Sequence, residues 1–373
     1  MSSWIDAPEA RRQLAARLNE RYRRNKQRKE AIDSAQEQEK TDQVWQDACE
    51  MGRSNGKVRL CWLDLKHVSG RIYSFQSNYG RELRELVLDG VGLSTMESIC
   101  EHCTGLTHIS LAANHINDIT GIHNLRKLVH LNLLRNSLTH LPSSIGLLVN
   151  LTRLDVANNR LVELPNEISQ LSQLKHLNLE CNELSELPSD LRRLLLCEVV
   201  ILNRNRFRVF PESVLSLPRM RQISIMANEL TNLPVGMRSL ERLEVFRASG
   251  NRIMTLPDSL VEILNLECLW LDHNKLSALP PNFFRLRRLK VLKLEGNVDL
   301  IYPPIETVAM GVEEVLRWSM TRLEMKKAAK VRRIVQSLEE VSSLVMRHRV
   351  GGGLHESLFL VNGECYQFPP NAL

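Results

Sequence analysis

The sequence predicts an α/β solenoid, a curved stack of short parallel strands with helical segments flanking it at both ends. Three observations predict it. An asparagine recurs at 114, 136, 159, 182, 205, 228, 251, 274 and 297, first 22 residues apart and thereafter 23. Leucines hold a fixed register around each asparagine, and from residue 142 to residue 303 a proline follows six positions after it. Apolar residues make up 43% of the chain but aromatic ones only 5%, so aliphatic side chains must carry a repeated core.

The unit reads Leu-x-x-Leu-x-Leu-x-x-Asn-x-Leu. Leu151, Leu154, Val156, Asn159 and Leu161 spell it once, and Leu174, Leu177, Leu179, Asn182 and Leu184 spell it again. The Leu-x-Leu core is a short strand whose side chains alternate, leucines inward and the intervening residues outward. The asparagine carries both a donor and an acceptor, so it can satisfy turn backbone that would otherwise be buried unpaired. Pro142, Pro165, Pro188, Pro211, Pro234, Pro257, Pro280 and Pro303 fix φ and open the return segment. Apolar anchors follow three and six residues later, as at Ile168 and Leu171 or Leu260 and Ile263. Two earlier phrases lack the asparagine: Leu60, Leu63, Leu65 with Val68, and Leu83, Leu86, Leu88 with Val91. One unit cannot bury its own apolar face, so stability comes from stacking. Eleven strands about 4.8 Å apart give an inner sheet roughly 50 Å long.

This phrase resembles the cytoplasmic leucine-rich repeats of the Ras-suppressor, Scribble and plant Ras-group-related class, with their 23-residue Leu-Pro-x-x-Ile form. The 22-residue interval containing Ile116, Ile119 and Ile122 is similar to the repeats of a protein-phosphatase-1 regulator. Gly296-Asn297 through Pro303-Pro304-Ile305-Glu306 to Gly311 and Val315 resembles the way the class closes its array with a helix. The resemblance covers residues 60–320 and implies a right-handed horseshoe with its parallel sheet on the concave side. It implies no shared enzymatic activity and a cytoplasmic setting. The partner it implies is a small GTPase, a phosphatase or a cytoskeletal protein.

The flanks divide the remainder into a basic N-terminal helix and cap (1–57), the repeats (58–304), a capping helix running into an extended basic helix (305–350) and a tail (351–373). In the first, Asp6 and Glu9 suit a helix start with Pro8 in the opening turn. Residues 11–30 carry nine basic side chains (Arg11, Arg12, Arg17, Arg21, Arg23, Arg24, Lys26, Arg28 and Lys29) against two acidic ones, a net +7. Two readings stand: a solvated, self-repelling helix, or one that docks on tubulin, RNA or acidic lipid. An acidic stretch follows, and Val44, Trp45 and Ala48 are expected to seal the first strand. Beyond the repeats, Val308, Val312, Val315, Leu316 and Leu323 are expected to seal the last one. Val331, Ile334, Val335, Leu338, Val341 and Val345 continue at three- and four-residue steps suited to a coiled coil with a partner helix. Lys326, Lys327 and Lys330, with Arg322, Arg332 and Arg333, form a second basic patch. Gly351-Gly352-Gly353 breaks the helix, and Asn362-Gly363 between apolar runs is a hairpin signal.

Several function classes fall away. No run approaches the ~20 apolar residues of a membrane span, and Asp6, Glu9, Arg11 and Arg12 interrupt any signal-peptide core. The eight cysteines form no cap cluster, and Cys100-x-x-Cys103 lacks the second pair of a zinc site, so they read as small buried hydrophobes in a reducing compartment. Asn150-Leu151-Thr152 matches a glycosylation sequon at a strand opening. Gly52 to Lys57 is one residue short of a phosphate-binding loop, and Val58 stands where a hydroxyl must hold magnesium. No zinc-protease helix, paired carboxylates or nucleophile elbow occurs. The expectation is therefore no enzyme, no cofactor and no metal. His108, His130 and His176 share one outward strand position without a carboxylate or cysteine to complete a ligand set.

Binding is expected on the concave face. Its N-terminal half is polar at Ser110, Asn132, Arg153, Asp155 and Asn178. Its C-terminal half turns apolar at Val199, Ile201, Met226, Val245, Trp270 and Val291, flanked by Arg204, Arg247 and Lys293. A tryptophan standing out of a rigid sheet among cations resembles an interface hot spot, though the chain's own tail is a competing occupant. The function expected is a scaffold or regulatory adaptor binding protein there. The alternative is a structural component of a large assembly, axonemal, cytoskeletal or ribonucleoprotein, anchored by the basic flanks, which would place it at the cytoskeleton or cilium.

Overall fold

A computed structural model describes residues 54–61, 79–349, 358–361 and 364–367, with scattered positions between 20 and 50. Eleven strands form one parallel sheet in strict chain order, which is the curved solenoid the repeat predicts. They are β1 (Lys57–Cys61), β2 (Glu85–Asp89), β3 (His108–Ser110), β4 (His130–Asn132), β5 (Arg153–Asp155) and β6 (His176–Asn178). β7 (Val199–Ile201), β8 (Gln222–Ser224), β9 (Val245–Arg247), β10 (Cys268–Trp270) and β11 (Val291–Lys293) complete it. Each strand pairs in register with the equivalent position of the next repeat, so Val245, Cys268 and Val291 lie side by side, as do Arg247, Trp270 and Lys293. Parallel neighbours need a crossover, and here the remaining twenty or so residues of each repeat supply it.

The asparagine ladder holds the turns. Asn159 donates Nδ2 to the carbonyls of Leu133, Val156 and Ala157 at 3.0, 3.0 and 3.2 Å, and its Oδ1 accepts the Leu138 amide at 3.0 Å. Asn182, Asn205, Asn228, Asn251 and Asn274 repeat this pattern. The residue before each ladder asparagine adopts a left-handed backbone. Ala113, Arg135, Asn158, Cys181, Arg204, Ala227 and His273 have φ between 53° and 55°, and Gly250 and Gly296 have 67° and 72°. Only the last two pay no Cβ penalty for it.

The leucine positions form a single continuous core from Val58 to Val315. On the convex side most return segments hold a single 3₁₀ turn, and those at Asn166–Gln170 and Asp258–Glu262 are entered from an extended proline. α-Helical turns occur near the N-terminal end, α1 (Tyr79–Glu82) and α2 (Glu97–His102).

At the C-terminal end α3 (Ile305–Ala309) leads into α4 (Val312–Arg349), a single helix of 38 residues. Val315 is buried in the core, with Val308, Val312 and Leu316 packed against it, and the Ser319 hydroxyl donates to the Pro281 carbonyl at 3.4 Å. From Glu324 to Glu340 every residue of α4 is exposed, including Val331, Ile334, Val335 and Leu338. Two strands, β12 (Leu358–Val361) and β13 (Glu364–Gln367), pair antiparallel in the tail. Ala48 is buried, while Trp45, Leu63, Leu65, Val68 and the Asn362-Gly363 turn lie outside the described residues. Among the described residues no helix is long and apolar enough to cross a membrane.

Candidate functional site

The strands turn their first and third residues to the inner face, and the structure brings most of the expected contact residues together there. Val199 and Ile201 flank β7, Val245 and Arg247 flank β9, and Val291 and Lys293 flank β11. Trp270 ends β10 between Arg247 and Lys293. The Lys293 ammonium lies 3.7 Å from the centre of the indole and the Arg247 guanidinium carbon 4.7 Å, so cations cover the ring and leave it half-buried. Such contacts are worth about 0.5–1 kcal/mol each at partly exposed sites.

Two expected residues stand apart from this row. Met226 lies two residues past β8, half-buried, where its amide donates to Asn203 Oδ1 at 2.9 Å. Arg204 is exposed at a left-handed turn position beyond β7. The apolar row is also broken, because Gln222 and Ser224 supply the outward positions of β8. Sequence reasoning passed over Cys268, half-buried between Val245 and Val291, although its register position was already fixed by the repeat. It also passed over Asp272, which accepts the Ser249 hydroxyl at 2.5 Å and pairs with His273 Nδ1 at 3.1 Å. Burial alone would raise the Asp272 pKa, but these bonds outweigh it and hold the carboxyl below the usual range.

Two donors on this face stand unmatched. Arg247 Nε and Trp270 Nε1 are both buried without a hydrogen-bond partner among the described residues. Three nearby acids are engaged elsewhere: Glu244 with Arg221 at 2.9 Å, Glu267 with Lys290 at 2.8 Å, and Glu229 with Arg208 and Arg252 at 3.5 and 3.3 Å. No ion pair involves Arg247 or Lys293 among the described residues.

The opposite half of the face is built from histidines. His108 and His130 meet edge to face with ring centres 4.5 Å apart, above Ser110, Asn132 and Arg153 in a shallow hollow of the sheet. Burial first, then His108 and Arg153, depresses the His130 pKa, and burial with Arg153 depresses that of His176. Both shifts favour the neutral ring. No group of three ligand-type side chains forms among the described residues.

Of the basic flanks, Lys326, Lys327 and Lys330 are exposed on α4 beyond its last core contact. Arg24 pairs with Glu20 at 2.5 Å, and Lys26 is also exposed. Arg11, Arg12, Arg17, Arg21 and Arg23 lie outside the described residues.

The Leucine Rich Repeat family model matches residues 150–171, 173–194 and 265–286. The chain carries leucine-rich repeats. One curated relative with such a likeness is the probable serine/threonine-protein kinase pats1 of Dictyostelium discoideum, 31% identical over 126 residues. That match takes in 31% of this chain but spans only 4% of the kinase's length. Among solved structures, the repeats are similar to the plant peptide hormone receptor RGFR1 in complex with RGF2, with 26% identity and a TM-score of 0.52, covering 58% of this chain and 36% of that one. The GASSHO1/SCHENGEN3 ectodomain of Arabidopsis thaliana, in complex with CASPARIAN STRIP INTEGRITY FACTOR 2, gives 26% and 0.52, covering 60% and 28%. An internalin of Listeria monocytogenes shares the fold at 19% identity and a TM-score of 0.51, covering 68% and 81%. The leucine-rich-repeat fold is typically a non-enzymatic module for protein–protein interaction.

Proposed function

We propose that this chain is a non-enzymatic scaffold or regulatory adaptor that receives a protein partner on the concave face around Trp270. The observation carrying this reading is the indole held half-buried between Arg247 and Lys293, beside Val245, Cys268 and Val291. Rigid aromatic and arginine side chains at the centre of a fixed surface are the residues that dominate interface energies. Two receptors of similar repeat structure are seen in complex with RGF2 and with CASPARIAN STRIP INTEGRITY FACTOR 2, which is a precedent for a partner on such a stack. The class resemblance points to a small GTPase, a phosphatase or a cytoskeletal protein in the cytoplasm.

Proximity labelling in the native cell tests it, comparing wild type with Trp270→Ala and Val245→Asp. Trp270→Ala is expected to move the melting temperature by only a few degrees, since the ring's partners are surface cations. The labelled neighbours should nonetheless fall away in both variants. Neighbours unchanged in both would sink the reading, and collapse of the fold in Trp270→Ala would make the ring structural.

A second reading, a structural component of a cytoskeletal or ribonucleoprotein assembly, is favoured by α4, which carries Lys326, Lys327 and Lys330 along an exposed stretch past the cap. Its exposed Val331, Ile334 and Leu338 suit a coiled coil with a partner helix. Co-sedimentation with microtubules or RNA that disappears with salt and with Lys326→Glu/Lys330→Glu would favour this reading.

A further inference from the structure

The chemistry around Trp270 narrows what the partner presents. We infer that Arg247, Trp270 and Lys293 form a receptor for a side-chain carboxylate on an extended, part-apolar acidic segment of a partner protein. This deepens the concave-face reading and rests on it.

The first support is charge. Three of the acids flanking the strands of this half are taken: Glu244 by Arg221, Glu267 by Lys290, and Asp272 by Ser249 and His273. The other two, Glu198 and Glu295, pair with neither Arg247 nor Lys293 among the described residues. Arg247 and Lys293 thus spend their charge only on the indole ring. A cation–π contact is weak beside a charge-assisted hydrogen bond, so a carboxylate arriving here has a strong claim on both.

The second is the pair of unmatched donors. Arg247 Nε and Trp270 Nε1 sit on adjacent strands, both buried and both unpartnered. Buried polar atoms without partners are rare in folded proteins. Each is an N–H donor with no acceptor capacity, so what completes them must be an acceptor. A carboxylate offers two oxygens to two donors. Arg247 and Lys293 are long, flexible side chains laid over the ring, and rotation about their own torsions is the movement by which a carboxylate would reach the N–H groups.

The third is the neighbouring column. Val245, Cys268 and Val291 lie beside the cationic row at the other outward strand position. In an extended peptide, side chains on one side recur about every 7 Å. One segment can therefore set an acidic residue over Trp270 and an apolar one over the valines. A single-stranded nucleic acid fits less well. Trp270 is the one Trp, Tyr or Phe on the inner face of the described strands, whereas base stacking uses a series of rings.

The test uses the full chain and fluorescence anisotropy with a labelled peptide alternating valine and glutamate. The comparison probes are its glutamine counterpart, its phosphoserine counterpart and an oligouridine. Wild type is expected to prefer the glutamate peptide over the glutamine peptide about tenfold or more, the scale of charge-assisted bonds. Trp270→Phe keeps a ring and removes the N–H, and with Arg247→Gln and Lys293→Gln it should erase that preference. Equal binding of the glutamate and glutamine peptides overturns carboxylate recognition. The broader reading then still stands if Val245→Asp loses its labelled cellular neighbours, and falls separately if it keeps them. Stronger binding of the phosphoserine peptide or of oligouridine overturns the proposal in favour of those ligands. If the glutamate peptide binds only when Phe359→Asp disrupts the tail strand, the face belongs to the chain's own tail and the proposal fails.

Discussion

Replacing Asn205 by alanine tests the central claim about what holds the repeats together. Its Oδ1 accepts the Leu184 amide at 3.0 Å, and its Nδ2 donates to the carbonyls of Leu179, Leu202 and Asn203 at 2.9, 3.1 and 3.2 Å. Alanine leaves the Leu184 N–H buried without a partner and strips the side-chain donor from three carbonyls. The three carbonyls each keep another donor (Asn182 for Leu179, Asn228 for Leu202 and the Cys181 amide for Asn203), so the Leu184 N–H is the one orphaned group, and a loss of about 1–3 kcal/mol is expected. Urea unfolding followed by both fluorescence and circular dichroism measures it, with coincident transitions required before a free energy is quoted. Asn150 provides the control. Its Nδ2 also donates to a carbonyl of the preceding repeat, Arg126 at 2.9 Å, but at the surface, so Asn150→Ala should cost about 1 kcal/mol or less. Asn205→Asp keeps the acceptor and loses the donor, placing a carboxylate among carbonyl oxygens. The folded state should then favour the protonated acid, so its deficit should be full at neutral pH and shrink as the pH falls. A loss at Asn205 no larger than that at Asn150 would refute the reasoning.

Three further outcomes are expected. Gly296→Val should cost about 2 kcal/mol or more by urea unfolding, because φ is 72° and a Cβ there would sit 2.9 Å from the His273 ring. Burial holds the Cys197 thiol up at about 12 and those of Cys100 and Cys103 likewise, so native-state labelling at pH 8 should mark Cys268 and Cys181 while these three stay protected until the chain unfolds. Burial would raise the Glu85 pKa, but bonds from Lys57 and Arg59 outweigh it and depress the value. Its stabilising contribution is therefore present above the ordinary carboxylate pKa and lost as the pH falls through the folded one. Glu85→Gln should lower the urea midpoint at pH 7 and matter little at pH 3.

The repeat was legible because the asparagine does chemistry that few side chains can replace, so it recurs visibly at every turn. The left-handed residue before it was not, since Ala113, Arg135, Cys181, Ala227 and His273 share no property. There the bonded turn dictates the backbone and the side chain merely tolerates it. The inner face was legible as a list of outward positions but not as a surface. Side-by-side register puts Gln222 and Ser224 into the apolar row and Cys268 beside the valines, and the two cations fold down over Trp270, which alternation alone does not convey. The return segments carried a period that fixes their anchors but not the type of turn. At Val331 and Leu338 the spacing forecasts a helix face, and what packs on it lies beyond one chain's sequence.

The ladder bonds have one more consequence. Each asparagine reaches back no further than 26 residues, to the preceding repeat. A chain whose decisive contacts are all this near in sequence pays little loop-closure entropy for each new one. It can therefore zip outward from whichever repeats meet first, and it can be released from a ribosome already coiling. Its slow step should be the last to become available, the seating of Val315 and its helix on the open end.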